Sequence, residues 1–220
     1  MVNGVGSPLK SKIAVEVPAD PDAGWLLCDV GWGNDTTGPH IALGTDEPGI
    51  RGLFRFRPET AFPMNQLVDV LLCGDSTLTR AERELIAAYV SSLNECRFCF
   101  YTHAAFAAVR LEEGMTLVRQ VCDDLESAPV TDKMRALLRI AGSVQRGGRD
   151  VSAGQVADAR AAGATDLEIH DTVLIAAAFC MFNRYVDGLA TFAPDDPDVY
   201  AERAARTEGY VAVLADSLES

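Results

Sequence analysis

Helix-start signals recur along this chain from residue 60 onward, and no stretch there reads as a strand. A Ser or Thr followed three residues later by Glu or Gln satisfies two of the amide groups that a helix leaves unpaired at its start. That motif occurs at Thr79/Glu82, Ser152/Gln155 and Thr165/Glu168. Thr131 opens another run through Met134, Leu137, Leu138 and Ile140 that ends at Gly147-Gly148. The expected helices are Met64 to Cys73, closed by Gly74 at C′; Thr79 to about Leu93; about Glu95 to Leu111; Met115 to Leu125; the Thr131 run; and the Ser152 helix. Leu167 to Leu189 is apolar nearly all round and is expected to be buried. A last amphipathic helix follows Pro194 and Pro197 to about Leu218. The expected class is all-α, with helices joined by short loops.

Residues 1–60 are rich in Gly, Pro and Asp and carry no sustained periodicity. They are expected to form an irregular N-terminal arm ahead of a helical domain over 61–220. Short strands are an option at Ile13–Val17 and Trp25–Val30. Such an arm lies over a site, wraps a neighbouring subunit, or is a plain surface extension.

Charge and hydropathy exclude several functions. The chain has 19 Lys and Arg against 32 Asp and Glu, a formal net charge of -13. Nucleic acid and anionic membrane both require a basic face, so neither is expected as a partner. Val173 to Phe182 is the longest greasy stretch and is too short to span a bilayer. The N-terminus lacks a basic segment followed by an apolar one, so a cytoplasmic location is expected. Of the six cysteines, Cys28, Cys73, Cys122 and Cys180 sit among apolar neighbours and read as reduced core residues.

Cys96 and Cys99 differ. In the segment Leu93-Asn-Glu-Cys96-Arg-Phe-Cys99-Phe-Tyr-Thr-His103, a helix turns about 100° per residue, which places Cys99 near −60° and His103 near −20° relative to Cys96. All three side chains share one face. Two cysteines one turn apart can close a disulfide, and free amides at a helix N-terminus stabilise a thiolate. Asn94 is the expected N-cap. A histidine one turn on can accept or relay a proton. In one unbroken helix Glu84 lies about 18 Å from Cys96. A reversal near Leu93-Asn94 instead makes an antiparallel hairpin that sets Glu84 opposite His103. Glu82 is accounted for by its capping box.

The run LTRAERELIAAYVSSLNECRFCFYTHAAFA, with PGIRGLFRFRPET upstream and AAAFCMFNRYVDGLATF downstream, resembles the alkylhydroperoxidase D-like branch of the carboxymuconolactone decarboxylase superfamily, nearest its peroxidase-related members. The resemblance covers roughly residues 48 to 195. Its central motif, a Glu twelve residues before Cys-x-x-Cys-x-x-x-His, is met at Glu84, Cys96, Cys99 and His103. The resemblance implies an all-helical fold assembled as trimers or higher homo-oligomers. It implies peroxide reduction in which Cys99 attacks, Cys96 resolves, and an external dithiol or reductase protein regenerates the pair, with His103 and Glu84 as the proton relay. It implies no metal and no organic cofactor. Alkylhydroperoxidase D has a histidine directly before the second cysteine, where this chain has Phe98. The decarboxylase branch lacks the cysteine pair.

Other readings stand beside this one. The pair can serve a disulfide reductase, an electron relay or another small-molecule redox step. Glu84, Cys96, Cys99 and His103 can also be read as four zinc ligands in a non-catalytic helical oligomer. Asn183 and Asp187 are expected to tie helices together, with Cys180 as packing on the same face. His40 and His170 read as surface residues, Trp25 and Trp32 as packing. Tyr89, Phe98, Phe100, Tyr101 and Phe106 read as core or subunit interface, with some able to wall an apolar pocket.

Overall fold

A computed structural model describes residues 38–210. The helices are α1 (Ile50–Phe56), α2 (Pro58–Val68), α3 (Arg80–Leu93), α4 (Arg97–Ala108), α5 (Gly114–Asp123), α6 (Asp132–Arg146), α7 (Ala153–Ala161), α8 (Asp166–Gly188) and α9 (Pro197–Arg206). No strand occurs among the described residues, so the all-α expectation holds. Among them no helix is long and apolar enough to cross a membrane. Ile13–Val17, Trp25–Val30, Cys28, Trp25 and Trp32 lie outside the described residues.

The capping boxes at Thr79/Glu82, Ser152/Gln155 and Thr165/Glu168 all form, and Thr131 caps α6 through the Met134 amide. The helical region starts earlier than residue 61. α1 begins at Ile50, inside the stretch expected to be irregular. Arg57 separates α1 from α2 with φ −138° and ψ 79°, because Pro58 forces the residue before it out of the helical region. α2 then widens into a π-helical turn over Asp69–Cys73. Gly74 follows it, but at φ −65° and ψ 173°, not in the left-handed C′ geometry expected. Glycine is needed there for space, since a Cβ would lie 2.6 Å from the Val70 carbonyl oxygen.

α3 and α4 form an antiparallel pair at the centre, with α6 and α8 against α3 and with α5 and α9 against α4. Leu85, Ile86, Phe106, Leu137, Leu138, Ile140, Ile175 and Phe179 fill the space between them with almost no exposure. The expectation that α8 is buried all round is corrected. Leu167, Leu174 and Met181, seven residues apart, are 54%, 37% and 44% exposed. They form one apolar stripe along its outer face.

Candidate functional site

The turn between α3 and α4 sets the site. Glu95 occupies the left-handed region at φ 57°. Its amide donates to the Ser92 carbonyl at 2.9 Å, and the Cys96 amide to the Ser91 carbonyl at 3.0 Å. This is a Schellman closure with glutamate where glycine is usual. Asn94 therefore ends α3, and Cys96 is the N-cap of α4, which corrects the expected N-cap by two positions. The Asn94 side chain fastens the turn instead. Its amide donates to the Asn183 Oδ1 at 2.8 Å, and its own Oδ1 accepts from Gln145 at 3.0 Å. Asn183 in turn donates to the Ser91 hydroxyl at 3.1 Å, so it ties helices together as expected.

Cys96 is fully buried and Cys99 nearly so, at 0% and 4% exposure. The neighbouring Cys99 thiol, together with burial, pushes the Cys96 thiol pKa far up. Asp187 differs from expectation. It stands beside Cys96, and burial raises its pKa, an effect the Cys96 thiol partly offsets.

The hairpin brings Glu84 to His103, Oε2 to Nδ1, at 2.7 Å. Glu84 has no exposure at all, and a buried carboxylate requires donors. A carboxylate only accepts, so the proton between them sits on Nδ1 and leaves Nε2 as the basic nitrogen of His103. Phe179 meets the imidazole edge-on at 4.4 Å and fixes its plane.

One residue of this cluster escaped the sequence reading. The Tyr210 hydroxyl donates to Glu84 Oε1 at 2.9 Å and lies 3.1 Å from Oε2. Burial first, then the Glu84 charge, pushes the phenol pKa well above its ordinary value, so it remains a donor. The segment carrying it is fastened through its own backbone. The Tyr210 amide donates to Asp69 of the π turn, and Arg80 and Arg110 donate to the carbonyls of Glu208 and Thr207. Arg80 also stands 3.6 Å from Glu84 through Nε. Tyr210 is 126 positions from Glu84 and belongs to no motif around the cysteines, so no local signal marks it.

Cys99 and His103 line one cavity of about 90 Å³, with Phe98, Phe179 and Tyr210. Residues from the sequence's Gly/Pro-rich arm also line it, namely Glu47, Ile50, Arg51, Phe54 and Arg55. This described part of the arm lies over the site. Gly49, at φ +56°, lets the backbone meet the Phe98 ring. A Cβ there would fall 2.2 Å from it. His40 and His170 are exposed and stand apart, His170 paired with Asp171 at 3.0 Å. The zinc reading is not supported: among the described residues no three of His, Cys, Asp and Glu are grouped to hold a metal ion.

Comparison with known proteins agrees with this fold. Residues 112–193 match the Carboxymuconolactone decarboxylase family model, a segment that begins after His103. No curated protein matches the sequence. The structure is similar to a peroxidase-related protein from Silicibacter sp. TM1040, 25% identical, covering 70% of this chain and 78% of that one with a TM-score of 0.63. It is also similar to an alkylhydroperoxidase AhpD core, a peroxidase-related protein from Ralstonia eutropha JMP134. That protein is 25% identical, covering 73% and 82% of the two chains with a TM-score of 0.64. The chain thus carries a carboxymuconolactone decarboxylase family segment within an alkylhydroperoxidase D-like helical fold.

Proposed function

We propose that this chain is a thiol peroxidase reducing organic hydroperoxides. The observation that carries the reading is His103, held by Glu84, lining the same cavity as Cys99, with Cys96 buried next to Cys99. Cys99 lines the cavity and Cys96 does not, which makes Cys99 the attacking sulfur. His103, held by Glu84 through Nδ1, takes the Cys99 thiol proton at Nε2. The thiolate attacks the distal peroxide oxygen, the O–O bond breaks, and the alkoxide takes the proton from His103 and leaves as an alcohol. Cys99 is then a sulfenic acid. Cys96 attacks the Cys99 sulfur, the S–O bond breaks, and the proton given up by the Cys96 thiol, relayed by Asp187, joins the departing hydroxyl to leave as water as the disulfide forms. An external dithiol or a reductase protein returns both sulfurs to thiols. None of these steps calls for a metal or an organic cofactor.

The stripe of Leu167, Leu174 and Met181 supports a homo-oligomer, since contiguous exposed apolar surface marks an interface. The decisive test is mass spectrometry after one equivalent of cumene hydroperoxide. Cys99→Ser abolishes peroxide consumption, whereas Cys96→Ser consumes one equivalent and accumulates a sulfenic acid or mixed disulfide on Cys99. The reverse pattern overturns the assignment of roles, and no consumption by the native chain overturns the reading.

A further inference from the structure

The chemistry of the proposed reaction uses only part of the cavity lining. Arg51, Arg55 and Arg203 also line the cavity, with a single lining carboxylate, Glu47, in a chain that is otherwise strongly acidic. Glu47 is committed to Arg51 by an ion pair. The side chain of Arg203, half-buried on α9, makes no hydrogen bond or ion pair to any described residue. Burial, then the neighbouring Arg203 and Arg55 charges, bring the Arg51 pKa down to about 10, and burial lowers that of Arg203. Two partly buried guanidinium groups, Arg51 and Arg203, beside the exposed Arg55 leave positive potential facing into the cavity.

The remaining wall is apolar, built from Ile50, Phe54, Val68, Phe98, Phe179 and Phe182. At about 90 Å³ the cavity has room for several waters, since about 10–15 Å³ on this measure holds one, so a bare hydrogen peroxide leaves most of it unfilled.

Resting on the thiol peroxidase reading, we propose that the cavity selects an organic hydroperoxide that carries a carboxylate, with the carboxylate on the unpaired Arg203, the apolar part against the phenylalanines, and the peroxide at Cys99. A planar guanidinium in a site with little water is suited to a carboxylate, which it can engage through two N–H groups.

The test separates this inference from the reaction itself. Cys99 is alkylated in the reduced native chain with iodoacetate and, in parallel, with the neutral isostere iodoacetamide. The products are quantified on the Cys99 peptide by mass. The iodoacetate-to-iodoacetamide rate ratio is expected to exceed that of a small free thiol by about tenfold, the size of one charge-assisted hydrogen bond. Arg203→Gln abolishes that excess and Arg203→Lys restores part of it. Arg206→Gln removes the same charge from an exposed position paired with Glu202 and retains the excess. A native ratio equal to that of the free thiol, or an excess that survives Arg203→Gln, overturns the proposal. Steady-state kinetics with a carboxylate-bearing hydroperoxide and its methyl ester complete the separation. A charge preference at Cys99 with neither peroxide consumed refutes the peroxidase reading and leaves the anion site standing. Equal KM values for the two peroxides refute the anion site alone.

Discussion

Removing the Tyr210 hydroxyl is the most direct probe of how the buried carboxylate is held. In Tyr210→Phe the ring stays, with its stacking on Phe106 at 5.6 Å and on His103 at 6.0 Å. What is lost is one O–H donor to a carboxylate with no exposure, whose other partners are His103 at 2.7 Å and Arg80 at 3.6 Å. A hydrogen bond to a charged group contributes about 1.5–3 kcal/mol, and nothing replaces this one because water does not reach Glu84. The substitution is therefore expected to lower the unfolding free energy by about 2 kcal/mol. The assay is urea unfolding followed by far-ultraviolet circular dichroism at fixed protomer concentration, since any subunit association adds to apparent stability. Glu84→Gln completes a double-mutant cycle. Two residues in direct contact around one charge are expected to couple by about 1 kcal/mol or more. Additivity within about 0.3–0.5 kcal/mol would refute the claim that Tyr210 sustains the Glu84 charge.

Other perturbations test other parts of the structure. Glu95 stands in the left-handed region, so Glu95→Val is expected to cost about 1–2 kcal/mol and Glu95→Gly to cost nothing; equal losses for both would contradict the Schellman closure. Burial alone would raise the Glu168 carboxyl, but hydrogen bonds from Lys133 and Thr165 outweigh it and hold its pKa down at about 2. A depressed folded-state pKa contributes stability above the unfolded value near 4.5, and that contribution is lost as pH falls toward 2. Unfolding free energy is expected to drop by on the order of 2 kcal/mol over that interval, and Glu168→Gln, which keeps the capping box, flattens the drop. Leu174→Asp places a charge in the exposed stripe of α8 and is expected to shift sedimentation toward the monomer. An unchanged sedimentation coefficient with native circular dichroism would remove that stripe as an interface.

Local physics made much of the architecture readable in advance. Thr79 and Glu82 satisfy each other's backbone amides within three residues, so α3 starts where the letters place it. Its reversal near Leu93 sets Glu84 against His103 by counting alone, because two antiparallel helices of equal rise pair positions symmetric about their turn. Which residue caps α4 was less legible. Asn94 is the better N-cap by type, yet it closes α3, because its side chain is claimed by Asn183 and Gln145 from two other helices. The arm was opaque for a similar reason. Glu47 to Arg55 carry few periodic signals, and their place over the cavity depends on the Gly49 notch receiving Phe98.

The order and kind of the helices, the shared face of Cys99 and His103, and the acid opposite that face follow from interactions spanning at most a helix hairpin, and such interactions are written in spacing. Cys96, extended at the N-cap of α4, is not on that helical face, contrary to expectation. The donor that sustains Glu84 and the Arg203 cation lining the cavity follow from where distant segments come to rest. Tyr210 and Arg203 arrive from beyond α8, held by burial and by hydrogen bonds to the π turn and to Arg80 and Arg110. Packing between elements far apart in the chain has no period for a sequence to display, so only the folded arrangement assigned those residues to the site.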